Sequence, residues 1–522
     1  LPVHASTYNS RVHSLITSDQ WTRFAFIERL DAEPQKHKRF YIDINRCRKN
    51  ILYFLKERNI QIPVFTCMDD VKKYNAGDKI KVGFYFIESK QYFPFRNNGW
   101  YFYSLVNYGL ENNLIKPENI KYKLESTLCL EGDYFNSALD IFKNLPYGLD
   151  KAGPNFMVGL FKKMDVEVNK IFVTSSFSQA SEKFMRRPDS KQHIEKIQIN
   201  EDSNLFFVKT REQYSSDYYT NIFYDLIIDL EALELHKLSS IIEQNHGHVT
   251  FLNTDCCECW FNGDKCLDLS KYFWDNAKTV LKYKYEEKDE APTYQRKKQF
   301  KHIEPFYLEK NEWNITPDPQ DNDFIRLAKQ IIEVNTSWNI NGIAGSGKST
   351  LLKEIISQLV ENKKNIVILS PTNKACRNLN KEAKTIHKFL SIAFENQKGF
   401  QKSIEKIDYI LIDEISMVKE VFYSIFLTIK RAKPIIRFII AGDWRQPDPV
   451  NDRSLFDYQN STVLYELCEG NRLELTKCRR SDEALFNLSL NIKNVDWTSL
   501  GKENCKISMC FTNDKRIQIN DL

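Results

Sequence analysis

The sequence predicts a multidomain chain in which an irregular α+β half is followed by a doubly wound α/β half built on a parallel sheet. Three observations predict it. The 522 residues exceed what one hydrophobic core organises. Composition shifts once, over residues 286–322, where EEKDEAPTYQRKKQFKHIE leads through a short aromatic stretch to TPDPQDND, a charged, proline-punctuated passage that reads as a connector. Beyond it, short runs rich in isoleucine and valine alternate with helical patterns, and fully apolar strands separated by helices belong to a sheet covered on both faces.

Bulk composition narrows the function classes. The chain is 42% hydrophobic and 27% charged, and no stretch approaches the ~18 apolar residues of a membrane span, so a soluble protein without a membrane partner is expected. Lys plus Arg (74) against Asp plus Glu (69) leaves +5, so any nucleic-acid surface has to be a local patch. Twelve cysteines are scattered without a disulfide-scaffold spacing. Cys256, Cys257, Cys259 and Cys266 lack the paired C-x-x-C arms of a zinc site, and thiols on a strand and turn are the preferred reading. No leading methionine and no signal segment precede Leu1, which leads us to expect a piece of an intracellular, non-secreted protein.

In the upstream half, Phe40-Tyr41-Ile42-Asp43 is a β-rich run ending in an acid, and HVTFLNTDCCECWF places Asp255 at the turn of an apolar hairpin. Between them lie the aromatic-rich runs KVGFYFIES and GWYFYSLV, both read as strands, and Lys151-Ala-Gly-Pro-Asn155-Phe-Met-Val-Gly159, read as helix. Two carboxylates from separate strands are what two-metal nucleotidyl transfer requires, while each alone reads as an ordinary strand-end aspartate. On a helix, residues four apart share a face, so Lys151, Asn155 and Gly159 can line one site.

The K-x3-N-x3-G spacing resembles motif B of family B DNA polymerases, IDINRCRKNIL resembles their motif A, and LNTDC their motif C, in the family's order. The wide intervals are similar to those of the viral, protein-primed branch. The resemblance implies a palm, fingers and partial thumb over residues 1–290, with Asp43 and Asp255 as catalytic metal ligands. It implies that Lys151 meets the incoming triphosphate and that Asn155 and Gly159 line the nascent base pair. LKYKYEEK resembles the palm–thumb element in which Lys284 touches the primer strand. Mg²⁺, dNTP substrates and primer-template DNA follow as expectations. The chain departs from the pattern at Asn253, in place of the first acid of motif C, and at Arg48 and Val158, in place of the tyrosines of motifs A and B.

In the downstream half, SWNINGI, NIVILS, YILIDE and RFIIAG are the apolar strands. After the first comes Gly342-Ile-Ala-Gly345-Ser-Gly347-Lys348-Ser349-Thr350, a complete G-x4-G-K-S opening a helical pattern. Glycines let backbone N–H groups approach a triphosphate at a helix N-terminus, Lys348 reaches its β and γ phosphates, and Ser349 offers a hydroxyl to Mg²⁺. The strand Tyr409–Ile412 ends in Asp413, a Mg²⁺ ligand through water, and Glu414, which orients or deprotonates the attacking water. ATP is the expected nucleotide.

DEISM at this position resembles motif II of superfamily 1 helicases, particularly the RecD-like branch. Ser370-Pro-Thr372-Asn373-Lys374-Ala375 is similar to motif Ia and Thr385-Ile-His387 to the element after it, which implies single-stranded DNA contacts by Thr372, Asn373 and His387. Gly442-Asp443-Trp444-Arg445-Gln446-Pro447 resembles motif III, with Gln446 sensing the γ-phosphate. LTKCRRSD resembles motif IV, with Arg480 as the phosphate-contacting arginine and Arg479 as the competing choice. A RecA-like domain over 323–480 is thus expected after a charged linker at 291–322, with 481–522 beginning a second such domain. Lacking room for an exonuclease before Asp43, and lacking motifs V and VI, the chain is expected to be truncated at both ends.

Together these features lead to a DNA replication protein of a virus or mobile element, with other replication proteins as further partners. Two alternatives stay open: a degenerate, non-catalytic DNA-binding palm attached to an ATP-binding motor, and a broken product with neither activity.

Overall fold

The computed structural model describes residues 8–18, 20–21, 25–30, 38–143, 145–146, 148–162, 165–185, 191–200, 203–215, 220–262, 266–272, 283–286, 306–395, 403–446 and 456–480. The expected second helicase domain (481–522), residues 287–305 of the connector, and Pro447 with the PDPV run lie outside them.

The upstream half is organised around an antiparallel sheet. Its strands are β1 (Ile27–Arg29), β2 (Phe40–Ile44), β3 (Gly247–Asn253), β4 (Cys256–Phe261) and β5 (Tyr283–Glu286), in spatial order β1-β3-β4-β2-β5. β3 and β4 form the tight hairpin expected around Asp255, with Thr254 in the left-handed region at φ 61°. Cys256, Cys257 and Cys259 are buried thiols on β4. After β2 the chain turns through Arg46 (φ 50°) into helix α2 (Cys47–Tyr53), following the N-terminal helix α1 (Ser10–Thr17). Helix α3 (Leu149–Phe161) and the long helix α4 (Asn221–Gln244) pack against α2, and α4 also covers β3 and β4.

Helix α4 carries four buried acids, each facing a cation from another segment. Glu231 accepts from Arg48 at 2.7 Å, Glu234 pairs with Arg58 at 2.5 Å, Asp229 with Arg96 at 3.8 Å and Asp225 with Lys162 at 3.9 Å. Buried carboxylates are tolerated only with such partners, and they fix the helix's rotation relative to the segments it touches. A four-stranded antiparallel sheet flanks this core, with Gly83–Ile87 and Gly99–Phe102 wholly buried. The run GWYFYSLV is not one strand: it becomes helix at Tyr103, and the Phe102 amide, at the turning point, donates to Asp229 at 2.7 Å. Strands 165–174, 191–200 and 203–215 form a separate three-stranded sheet inserted between α3 and α4.

The downstream half has the expected parallel sheet. Strands β6 (Asn314–Thr316), β7 (Trp338–Gly342), β8 (Ile366–Ser370), β9 (Lys384–Thr385), β10 (Tyr409–Ile412), β11 (Arg437–Gly442) and β12 (Asn471–Leu475) lie in the order β6-β12-β7-β11-β10-β8-β9. Helices α5 (Phe324–Val334) and α6 (Lys348–Glu361) bury apolar residues against one face. The other face packs with α8 (Ile386–Glu395), α9 (Glu420–Ala432) and α10 (Thr462–Leu467), while α7 (Asn373–Leu379) follows β8. The passage read as linker is structural from residue 306: Phe306 packs edge-on or tilted against Phe86, Trp100 and Tyr122 of the upstream core, and β6 adds an edge strand to the downstream sheet. Among the described residues no helix is long and apolar enough to cross a membrane.

Candidate functional sites

Two sites emerge, one in each half. In a doubly wound sheet, loops at the carboxyl ends of the strands converge on one crevice, and here four of them do. After β7 the loop turns through Gly345 (φ 79°) and Gly347 (φ 97°) into α6. A Cβ at Gly347 would come within 2.6 Å of the Phe324 ring, so glycine is required there twice over. Lys348 is buried, and its Nζ donates to the carbonyls of Gly342 at 2.6 Å and Ile343 at 3.0 Å. Burial lowers the Lys348 pKa, opposed by the charges of Asp443, Glu414 and Asp413.

At the end of β10, Asp413 Oδ2 accepts from Ser349 Oγ at 3.4 Å. Burial raises the Asp413 pKa, against a hydrogen bond from the Glu414 amide and the charge of Lys348. Glu414 adopts φ 56°, and its Oε2 is buried without a hydrogen-bond partner in the structure. Its pKa is raised by burial and then by Asp413, and Gln446, after β11, is one of its hydrogen-bond partners. A carboxylate in that position can take a proton from water, and the hydroxyl–carboxylate pair Ser349–Asp413 is the hard-oxygen donor set that suits Mg²⁺. Thr350 is exposed on the first turn of α6.

The two arginines after β12 separate. Arg479 is held by Asp318 at 2.5 Å, Asn322 at 2.7 Å and the Ser346 carbonyl at 2.8 Å, bracing the P-loop from outside. Arg480 is exposed, with its Cβ against Gly345. Asp318 and Asn322 were not legible as part of this site, because in sequence they belong to a connector-like stretch, and Phe324 carries no motif that links it to the P-loop. Thr372 caps α7 by accepting from the Ala375 amide at 3.2 Å, and Asn373 opens that helix. His387 lies exposed on α8 with its ring edge on Phe422 at 4.8 Å.

The upstream site is a cleft of about 530 Å³ lined by Asp43, Asn45, Arg46, Cys47, Arg48, Lys49, Lys151, Asn155, Asn253, Thr254, Asp255, Cys256 and Lys284. Four segments widely separated in sequence thus meet. Antiparallel pairing explains it: Asp43 lies opposite Cys256 on one side and Lys284 on the other, and the Ile44 amide donates to the Asp255 carbonyl at 2.9 Å. Helix α3 brings Lys151 and Asn155, one turn apart, to the opposite wall. Gly159, one turn further, is exposed and outside the lining, and Val158 is buried in the core rather than facing the cleft.

The cleft is strongly cationic, with Arg46, Arg48, Lys49, Lys151 and Lys284 around two aspartates. Lys284 Nζ sits 3.1 Å from Asp43 Oδ2. Burial lowers the Lys49 pKa, assisted by Arg46 and Lys143. Among the described residues no group of three or more His, Cys, Asp or Glu forms a metal cage. Two hard carboxylates beside a cation-lined space fit Mg²⁺ only with further oxygens from a phosphate ligand and water. Sequence reasoning missed Arg46 and Lys49, although the basic run directly after Asp43 was the available signal, and missed Glu231, which anchors Arg48.

Comparisons with known proteins bear on the downstream half. Residues 328–451 match the AAA domain family model. The chain is 30% identical over 190 residues to the ATP-dependent DNA helicase dda of Enterobacteria phage T4, covering 34% of this chain and 42% of the phage protein. It is also 30% identical over 207 residues to the RecBCD enzyme subunit RecD of Buchnera aphidicola subsp. Schizaphis graminum, covering 34% of this chain and 33% of that subunit. The matches therefore span less than half of either relative's length. Among solved structures, the Pif1 helicase of Candida albicans aligns at 19% identity with TM-score 0.32, over 39% of this chain and 53% of that one. The downstream half thus holds a P-loop α/β domain similar to those of superfamily 1 helicases.

Proposed function

We propose that this chain joins an ATP-driven superfamily 1 DNA helicase motor to a template-directed DNA polymerase of the family B kind. The motor reading rests on the converging P-loop, Asp413–Glu414 and Gln446, together with the similarity to phage and bacterial helicases. Lys348 and the P-loop amides hold the triphosphate, Glu414 takes a proton from the attacking water, and Gln446 reads the γ-phosphate position. Ser349 and Asp413 would hold Mg²⁺, which would supply charge neutralisation at the phosphates. Arg480 is the arginine placed to approach the phosphates, since Arg479 is committed to Asp318. Thr372, Asn373 and His387 form the single-stranded DNA contact.

One observation carries the polymerase reading: residues with motif A, B and C spacing, far apart in sequence, line one cationic cleft. In this reading Asp43 and Asp255 would hold Mg²⁺, which would supply Lewis-acid activation of the reacting phosphate. Lys151 and Arg46 bind the triphosphate, Asn155 borders the base pair, and Lys284 meets the primer once it leaves Asp43. Gly159 is left without a direct role. A second reading, a palm that binds primer-template without extending it, is favoured by Asn253 and by Lys284 occupying Asp43.

Orthogonal variants test the assignment. Asp255→Ala should remove dNTP incorporation and keep ATP binding, and Lys348→Ala should do the reverse. Loss of both functions in either variant, with the fold intact, would contradict two separate sites.

A further inference from the structure

The two halves are not merely tethered. Cys67 and Met68, upstream residues, are buried in the same apolar cluster as Ile415, Val418, Phe426 and Leu464 of the downstream domain. Cys67 Sγ contacts Glu420 Oε1 at 3.1 Å, and Glu420 begins α9 only six residues after Glu414. Asp70 accepts from Thr462 Oγ1 at 2.5 Å and from Arg11 at 2.9 Å, and the Ser10 amide donates to Glu466 at 2.5 Å. The upstream loop Thr66–Asp70 therefore sits on the short segment that leads out of the acidic ATP-site loop.

On its other side this loop is linked to the cleft by a chain of hydrogen bonds, strand pairing and close packing. Asp69 is buried and accepts from the Thr66 amide at 2.8 Å and the Thr127 amide at 3.2 Å. Asn9 Nδ2 donates to the carbonyls of Cys67 and Asp69 at 3.2 and 2.9 Å. Thr127 opens the strand Leu128–Leu130, which pairs with Ile62–Val64. Gly132, just beyond, packs so tightly on the backbone of Leu55 and Lys56 that a Cβ there would come within 2.4 Å of the Lys56 amide. Leu55 and Lys56 follow α2, whose first turn carries the cleft residues Cys47, Arg48 and Lys49. Packed elements of this kind pass displacements on instead of absorbing them.

We propose that the loop Thr66–Asp70 is a coupling contact through which nucleotide bound at the P-loop alters the upstream cleft. The inference rests on ATP binding at Lys348, and reciprocity follows from linkage, so a ligand in the cleft changes ATP affinity by the same factor. Glu414 and Glu420 belong to one short segment, and rearrangement of the first around a γ-phosphate moves the second against Cys67 and Met68.

Hydrogen–deuterium exchange on the full chain, with and without Mg²⁺ and a non-hydrolysable ATP analogue, tests this. Peptides over 342–350 report binding itself; peptides over 65–70 and 128–132 report transmission. We expect the analogue to change exchange in both sets, at least about fivefold in the second. In Met68→Asp, and in the milder Glu420→Ala made from the motor side, the second change should vanish while P-loop protection stays. P-loop protection with no change at 65–70 and 128–132 in the parent chain overturns the coupling alone. Absence of P-loop protection overturns the ATP reading, and the coupling with it. Persistence of the remote change in the folded Glu420→Ala variant overturns this loop as its route.

Discussion

Replacing Lys284 by alanine separates two consequences of its position. Its Nζ lies 3.1 Å from the Asp43 carboxylate, and two unit charges at that distance attract by about 5 kcal/mol at an effective dielectric constant of 20. The Lys284 side chain is 41% exposed, so screening and side-chain entropy reduce the net worth to ~1 kcal/mol. A divalent cation at Asp43 has to displace this ammonium. Lys284→Ala should therefore tighten Mn²⁺ binding to the ATP-free chain by about fivefold, the equivalent of ~1 kcal/mol. The same change should weaken primer-template binding and flatten its salt dependence by about one counterion. Mn²⁺ affinity is read by calorimetry or electron spin resonance, with Asp43→Asn as the control that removes the site. Unchanged or weaker Mn²⁺ binding in Lys284→Ala would refute the competition between lysine and metal.

Three further outcomes follow. Lys348→Ala removes charge-assisted phosphate contacts worth about 1.5–3 kcal/mol, so anisotropy titration with a fluorescent ATP analogue should show Kd raised roughly 10- to 100-fold; a change under twofold sinks the assignment. Gly347→Ala has to hold φ 97° and push on Phe324, so both Tm and ATP affinity should fall, and a variant unchanged in both contradicts the strained turn. His236 has its pKa lowered to about 4 by burial, with the Tyr108 hydroxyl 2.9 Å from Nδ1. A buried histidine with a depressed pKa contributes stability above about pH 6.5 that is lost as pH falls toward 4, on the order of 2 kcal/mol between pH 7 and 5. His236→Gln should flatten the Tm-versus-pH curve of the upstream unfolding transition over that window, and an identical slope would be inconsistent with a neutral buried imidazole.

Much of the downstream domain was legible because its signals are local. The P-loop needs glycines at fixed offsets, and the strands β8, β10 and β11 are short apolar runs in a sheet that helices cover on both faces. Asp318 escaped notice because its role is set by Arg479, 161 positions away, and no local pattern records such a pair. In the upstream half Asp43 and Asp255 were read as acids at a strand end and a hairpin turn, and Lys151 from its K-x3-N-x3-G spacing; their convergence is a consequence of strand register, which these local patterns do not contain. Gly159 was assigned a role by helical periodicity, but the cleft ends one turn earlier at Asn155. The run GWYFYSLV looked uniformly β-like, and the buried Asp229 carboxylate that accepts from the Phe102 amide at the turning point comes from a helix far along the chain. The connector misled for a related reason: its charged surface hides Phe306, whose burial depends on the aromatic sheet it meets.

The polymerase proposal stands or falls with primer extension at the upstream cleft. Single-nucleotide primer extension by the whole chain, with Mg²⁺ and one templated dNTP, tests it most directly. One-nucleotide extension is expected, disappearing in Asp43→Ala and in Asp255→Ala and persisting in Lys348→Ala. Tight primer-template binding without extension under Mg²⁺ or Mn²⁺, or extension that survives both aspartate substitutions, would contradict it.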